Sequence, residues 1–118
     1  MNNRDTSTPA ADGPITLINA SEIPADRSEE FAEEWRSRAA IMAAAPGFRD
    51  ARLHRAITPG ARFGFVNVAH WDSRAAWETA QTEPAFRRQL DELPGTTRSA
   101  LHATAYQVVV EFDRQGLR

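Results

Sequence analysis

The stretch FVNVAHWDS, residues 65–73, decides the fold prediction because its side chains alternate as those of a strand do. Alternation places Phe65, Asn67 and Trp71 on one face. Both faces are largely apolar, which predicts a strand that is covered on both sides. An unpaired buried carboxamide costs about 1–3 kcal/mol, so Asn67 must bond either a neighbouring group or a ligand. Buried polar groups are usually paired within the protein, which at this point favours the structural role.

A second asparagine interrupts the first predicted strand, PITLINASEIP, residues 14–24. Alternation places Asn19 on the same face as the aliphatic side chains of Ile15 and Leu17. The chain therefore puts one carboxamide into the middle of each of two apolar strands. The same two roles, pairing within the protein and contact with a ligand, are open for Asn19.

Length and composition predict one globular domain. The chain has 118 residues, of which 42% are hydrophobic and 25% charged, as is usual for soluble proteins. The net charge of −2, with both signs mixed, predicts neither a nucleic-acid partner nor an anionic membrane surface. Residues 1–13 are small and polar and are expected to be disordered, which leaves residues 14–118 as the domain. The absence of a long apolar run or signal core predicts a cytoplasmic protein.

Several classes of chemistry are excluded or disfavoured by residue usage. The chain has no cysteine, which excludes disulfides, thiolate metal sites and cysteine nucleophiles. It also has no lysine, so Schiff-base chemistry has no anchor. The histidines, His54, His70 and His102, fall on three different predicted strands without ligand spacing, so we expect no metal site. No motif for nucleotide binding, hydrolysis or hydride transfer occurs.

A helix is predicted from about residue 26 to residue 45. Asp26 and Glu29 have the spacing of a capping box at its start, and Pro46-Gly47 follows its end. One apolar stripe at helical spacing is expected to face the core more often than a cofactor. The residues of this stripe are Phe31, Trp35, Ala39 and Met42.

The remaining elements complete a β-α-β-β-α-β order. Strands are predicted at residues 48–57, 63–71 and 101–112, with a hairpin loop at 58–62 and a further loop at 94–99. Asp72 or Ser73 begins a short helix, and Pro84 begins another. This order is typical of a ferredoxin-like α+β fold, an antiparallel sheet with helices on one face. The other face would be exposed and apolar, which predicts a homodimer.

The remaining candidates for chemistry are neutral polar and aromatic side chains within apolar elements. In a dry cavity, neutral donors can orient an enolate and stabilise the charge on its oxygen. No general base is evident, so an acidic substrate is implied. Core packing is the commoner role for a residue such as Trp77, and a solvated face is the commoner role for a pair such as Arg87 and Arg88.

From Pro14 to Phe112 the chain resembles the antibiotic-biosynthesis monooxygenase family. The landmarks are Asn19, the PGF turn at residues 46–48, and VNVAHWDS at residues 66–73, which an alanine-aromatic helix follows. The resemblance implies a dimeric α+β barrel. One branch of the family comprises cofactor-independent oxygenases that convert anthrone-type polyketides to quinones. In that branch a first-strand asparagine and a third-strand Asn-x-x-x-Trp line the pocket, and they match Asn19, Asn67 and Trp71.

The resemblance therefore implies a cofactor-free monooxygenase whose catalytic residues are Asn19, Asn67 and Trp71. Its implied partners are a small aromatic polyketide, O2 and a second copy of the chain, without a metal or other cofactor. Two alternatives stay open: a non-oxidative cyclase or isomerase of a polyketide enol, and a small-molecule-binding barrel without enzymatic activity. Some members use an arginine, for which Arg88 and Arg98 are candidates. The substrate-binding residues expected in addition are Phe65, Trp35, Trp77 and Arg88.

A second branch of the family degrades haem and shares the first-strand asparagine. That branch also needs a tryptophan on the helix after the third strand and an iron-binding histidine on the next helix. The matching positions are Ala80 and either Gln89 or Leu90, and no histidine occurs between His70 and His102. The resemblance therefore disfavours haem degradation.

Overall fold

The computed structural model describes residues 13–93 and 101–117, without the side chains of Leu101 and His102. Its elements confirm the predicted β-α-β-β-α-β order, with the second helical region split in two. Two predictions fall outside the described residues: the disorder of residues 1–13, apart from Gly13, and the loop at 94–99. The elements are β1 (Ile15–Ser21), α1 (Ser28–Ala43), β2 (Phe48–Arg55), β3 (Phe65–Trp71), α2 (Arg74–Ala80), α3 (Pro84–Glu92), β4 (Leu101–Tyr106), β5 (Phe112–Asp113) and β6 (Gly116–Leu117).

Strands β1 to β4 form one sheet in the order β2-β3-β1-β4, and every neighbouring pair is antiparallel. This is the ferredoxin-like arrangement that the element order predicted. The two central strands, β1 and β3, are those that carry the asparagines. Their register pairs Asn19 with Asn67 and Ile15 with Trp71. Both carboxamides therefore lie at the middle of the sheet and on the same face.

The two faces of the sheet differ in burial. The face that carries the asparagines packs against the helices, and its other residues on β1 and β3 are buried: Ile15, Leu17, Ser21, Phe65, Ala69 and Trp71. On the opposite face, Ile18, Val66 and Val68 are only half-buried. Among the described residues, the expectation that β3 is covered on both sides is therefore met on one side only. We call the opposite face the open face.

Helix α1 begins later than predicted. A 3₁₀ turn, Ala25–Arg27, precedes it and moves the N-cap position from Asp26 to Arg27. Neither cap position makes a side-chain capping bond, so the predicted capping box is wrong. The first turn is held instead by an ion pair between Arg27 Nη2 and Glu30 Oε1, 3.0 Å apart.

Two features require a glycine at position 47, in the turn between α1 and β2. Its φ of +90° lies in the left-handed region, which residues with a side chain rarely adopt. A Cβ atom at this position would lie 2.6 Å from the Cβ of Ala76 on α2. The glycine therefore allows α2 to pack closely against the end of α1.

The starts of α2 and α3 follow the predicted signals. The Ser73 hydroxyl caps α2 by accepting a hydrogen bond from the backbone N–H of Ala76, with an N···O distance of 3.0 Å. Pro84 occupies the first turn of α3, where its missing N–H costs nothing. Both helices therefore begin where local sequence chemistry places them.

The last strand is shorter than predicted. The pattern predicted a strand over residues 101–112, but β4 ends at Tyr106, which pairs with Thr16 beside the first residue of β1. Residues 107–111 continue beyond the N-terminal end of the paired part of β1, and no strand of the described chain pairs with them. Strands β5 and β6 then form a short hairpin. In this C-terminal arm, residues 107–117, the large apolar side chains Val108, Val109, Val110, Phe112 and Leu117 are exposed.

Candidate functional site

A cavity of about 100 Å³ lies between the covered face of the sheet and the helices. The sheet forms its floor with Leu17, Phe48, Ala51, Ala69 and Ala103 around the predicted catalytic residues. A bulge at Arg49 shifts the register of β2, which keeps both Phe48 and Ala51 on the cavity face. The roof consists of Trp35, Arg38, Ala39 and Met42 from α1 and of Trp77, Gln81 and Phe86 from the region of α2 and α3.

The predicted catalytic residues Asn19, Asn67 and Trp71 all line this cavity. The two asparagines face each other across the β1–β3 pair, and Trp71 lies four residues after Asn67 on the same face. Trp71 is the most buried of the three, with 1% of its surface exposed. Its ring meets the ring of Phe48 edge to face, with 5.3 Å between centroids. Trp71 is therefore a buried and packed part of the floor.

The four expected substrate-binding residues divide into two pairs. Trp35 and Trp77 line the cavity from the helix side, so all three tryptophans of the chain border it. Phe65 is buried outside the lining and packs against Phe31, with ring centroids 5.0 Å apart. Arg88 is exposed on α3 and is also outside the lining. Arg98 lies outside the described residues.

Asn67 has a side-chain oxygen that no described residue pairs. Its Oδ1 atom is buried and has no hydrogen-bond partner among the described residues. Leaving a buried acceptor unpaired costs about 1–3 kcal/mol, unless a ligand or water supplies the bond. The sequence first favoured a structural role for Asn67, in which its side chain bonds a neighbouring group. No described residue makes that bond with Oδ1.

Arg38 is a lining residue that the sequence analysis did not single out. It is 7% exposed, and its guanidinium carbon lies 5.7 Å from the centroid of Phe31. Removal from water lowers the pKa of this guanidinium, and the Glu34 carboxylate partly opposes the shift. The sequence contained a signal for this residue, since Arg38 lies three residues after Trp35 and four before Met42, on the side of the helix that carries the apolar stripe. A charge thus interrupts the apolar stripe.

His54 and His70 lie outside the cavity lining. On the open face, His70 Nδ1 is 2.6 Å from Asp50 Oδ1, and His54 Nδ1 is 3.2 Å from the carbonyl oxygen of Val66. Across residues 13–93 and 103–117, no three His, Cys, Asp or Glu side chains are grouped to hold a metal ion. In the part of the chain that is described, no helix combines the length and apolar character that a membrane span needs.

Comparison with known proteins places these features in a family. The family model described as antibiotic biosynthesis monooxygenase matches residues 14–91. The structure of a candidate monooxygenase from Shewanella loihica PV-4 is 33% identical, with a TM-score of 0.67, over 84% of this chain and 97% of that one. A cofactor-independent oxygenase from Streptomyces nogalater, SnoaB, is 24% identical, with a TM-score of 0.61, over 83% and 94% of the two chains.

A curated relative is named for a different reaction. The mycobilin-producing haem oxygenase of Mycobacterium tuberculosis is 27% identical over 103 residues, which are 87% of this chain and 96% of that protein. The fold is therefore shared by proteins named for cofactor-independent oxygenation and for haem oxygenation. Because the family model covers well over half of the residues, the chain belongs to the antibiotic biosynthesis monooxygenase family.

Proposed function

We propose that this protein is a cofactor-free monooxygenase that oxidises a polycyclic aromatic, anthrone-type polyketide to a quinone with O2 in antibiotic biosynthesis. One observation carries the proposal: Asn19 and Asn67 face each other on the cavity floor beside Trp71, and Asn67 Oδ1 has no described partner. Membership of the monooxygenase family supports the oxidative reaction class.

The walls of the cavity suit a flat aromatic substrate. Three tryptophans and two phenylalanines border it, and aromatic rings pack favourably against one another in offset or edge-to-face geometry. Its volume of about 100 Å³ is below the ~300–1,000 Å³ of typical ligand pockets. Substrate entry therefore requires that side chains of the roof, such as Trp77 and Phe86, move outward.

The proposed reaction converts one CH₂ group and O2 into one C=O group and water. The activated carbon between two aryl rings loses a proton to water, and the resulting anion is delocalised onto the substrate oxygen. One electron passes to O2, and the substrate radical and superoxide combine to form a peroxide anion. This anion takes up a proton, and loss of water with the second hydrogen of the carbon leaves the carbonyl of the quinone.

In this reaction Asn19 and Asn67 hold the oxygens of the substrate. Their amide groups provide both donors and acceptors, so they can bind a hydroxyl group and stabilise an oxyanion that develops from it. Trp71 forms the wall of the site and orients the oxygen. The protein contributes position and electrostatics, while the acidity of the substrate provides the reactive carbanion.

We place the protein in a homodimer that forms through the open face. Ile18, Val66 and Val68 form an apolar strip there that no helix of the described chain covers. The exposed valines of the C-terminal arm add further apolar surface. Two such faces could together bury the roughly 2,000 Å² that is usual for obligate interfaces.

Haem oxygenation is the second candidate because of the mycobacterial relative. Haem iron is held by His, Cys, Tyr, or Met together with His. The described lining contains no histidine, cysteine or tyrosine, and its only sulfur ligand is Met42. Neither Gln89 nor Leu90, at the positions where the haem branch needs a histidine, lines the cavity. The donor set therefore does not fit a haem-iron site.

Oxygen uptake with the model anthrone dithranol tests the proposal. We expect enzyme-dependent uptake of one O2 for each quinone formed, which persists after exhaustive chelation. Product formation without O2 uptake would instead indicate the cyclase or isomerase, and binding without product would indicate the binding barrel. A stoichiometric Soret band on addition of haem, followed by its degradation, would establish the haem oxygenase.

A further inference from the structure

Arg38 is a buried cation that borders the cavity and that the proposed reaction does not use. Only 7% of its surface is exposed, and Nη1 of its guanidinium is buried without a hydrogen-bond partner among the described residues. A guanidinium carries five N–H donors in one plane. A charged donor that stays unpaired away from water is more costly than a neutral one. The position therefore calls for an acceptor that the described residues do not supply.

The nearest compensating charge does not occupy this donor. Glu34 lies one helical turn before Arg38 and acts on it electrostatically, but no ion pair within 4.0 Å joins the two side chains in the described chain. The Oε1 atom of Glu34 is itself buried without a partner in the described part of the chain, and its Oε2 is 3.9 Å from Nη2 of Arg27. Glu34 lowers the cost of the buried charge from a distance and leaves Nη1 available.

Packing against Phe31 does not occupy Nη1 either. The guanidinium carbon is 5.7 Å from the ring centroid, a contact that uses the charge and not an in-plane N–H bond. The same cavity is lined by Asn67, whose Oδ1 is a neutral acceptor without a partner among the residues described. One cationic donor and one neutral acceptor together complement a molecule that carries an anionic oxygen and a hydroxyl group.

We infer that Arg38 determines substrate specificity by binding an anionic oxygen, so that the substrate class is an aromatic acid. The anionic oxygen belongs to a carboxylate or to an ionised phenol, since both present the same charged acceptor to Nη1. The inference rests on the proposed function, because it assigns the same cavity to the substrate. It adds an anionic group to the anthrone-type substrate, and the neutral model compound dithranol should therefore bind more weakly than the natural substrate although it reacts in the same way.

Matched ligand pairs test this requirement directly. Binding of anthraquinone-2-carboxylate and of anthraquinone-2-carboxamide is measured by calorimetry and by quenching of the three cavity tryptophans. A second pair, 2-hydroxyanthraquinone above its pKa and 2-methoxyanthraquinone, separates an ionised phenol from a carboxylate as the preferred anion. We expect the wild-type protein to bind the anionic member of at least one pair roughly tenfold to hundredfold more tightly.

Three variants test whether Arg38 causes the preference for the anionic ligand. Arg38→Met should bring the affinity ratio for that pair close to one, while Arg38→Lys should retain part of the preference because it keeps the charge. Arg36→Met is the matched control, since Arg36 lies on the same helix with its side chain 77% exposed and only a 3.6 Å contact to Glu33. It should keep the wild-type ratio. Melting temperatures establish that each variant is folded.

The inference is overturned if the wild-type protein binds neither pair or binds both members of each pair equally. It is also overturned if Arg38→Met and Arg38→Lys both keep the wild-type preference. Oxygen uptake with dithranol, run in parallel, separates this failure from failure of the proposed function. Anion preference through Arg38 without uptake refutes the oxygenase alone, whereas uptake without anion preference refutes only the role of Arg38.

Discussion

The two faces of the central strands β1 and β3 each carry side chains that burial alone does not predict. The enclosed face is mostly apolar but includes Asn19 and Asn67, and the open face, which also carries His70, includes the half-buried aliphatic side chains of Ile18 and Val68. Burial usually selects apolar residues and exposure selects polar ones. The proposed function explains both exceptions by a molecule outside this chain. We assign the substrate to the enclosed face and a second copy of the chain to the open face.

The largest effect is expected at Trp71, which anchors the enclosed face. Trp71→Ala removes a fully buried ring and should lower the free energy of unfolding by about 3–5 kcal/mol. Trp71→Phe keeps much of the wall and should be clearly milder in both stability and turnover. Denaturant melts of the two variants measure the difference. Equal, small losses in both would show that the floor is loosely packed and would remove the contrast between the faces.

The two asparagines should act as one unit. Each Asn→Ala change should lower kcat by roughly 10²–10³, and by less if the anion is spread over several rings. If Asn19 and Asn67 serve one substrate oxygen, the double variant should be less damaging than the product of the two single losses. A double-mutant cycle in oxygen uptake measures the coupling. Strict additivity would assign the two carboxamides to separate oxygens.

On the open face, Val68→Asp should break the proposed dimer. A carboxylate buried without a partner costs several kcal/mol, so the dimer dissociation constant should rise roughly hundredfold or more. Light scattering at micromolar concentration should then report a monomer. Ala75→Asp, at an exposed position in the first turn of α2, is the control and should stay dimeric. A wild-type protein that is monomeric under these conditions would contradict the assignment of the open face.

A smaller effect is expected at the roof of the cavity. Ser73→Ala removes the hydroxyl that caps α2 and should cost about 1 kcal/mol of stability. Ser37→Ala is the matched control, because its exposed hydroxyl makes only a 3.4 Å contact with the carbonyl oxygen of Glu33 within α1. Thermal melts of the two variants compare them. Equal effects would mean that the cap does not hold α2 in place.

The floor of the site could be predicted from the sequence because it depends on one rule. Side chains alternate on a strand, so Asn67 and Trp71 had to share a face, and antiparallel pairing of the two central strands brings Asn19 beside them. The starts of α2 and α3 were equally local, since Ser73 and Pro84 act within one turn. These signals and the alternation of Asn67 and Trp71 lie close in the chain, whereas the grouping of Asn19 with them joins two distant strands and was predicted from the family resemblance.

The roof and the last strand depend on distant residues, and there the predictions were incomplete. The apolar stripe of α1 was expected to face the core, but Arg38 falls on the same side and its burial depends on how α1 crosses the sheet. The valines at 108–110 have high β propensity, yet a strand needs a partner. Because β1 begins only at Ile15, it has no residue opposite these valines. Propensity alone therefore overestimated the length of β4.

Paired measurements of kcat and melting temperature for Asn67→Ala test the central claim most directly. Because Asn67 Oδ1 has no partner among the described residues, removal of the carboxamide should not lower the melting temperature. If the carboxamide acts on the transition state, kcat for anthrone oxidation should fall by at least tenfold while KM changes little. Full turnover together with a markedly lower melting temperature would contradict the claim and return Asn67 to a purely structural role.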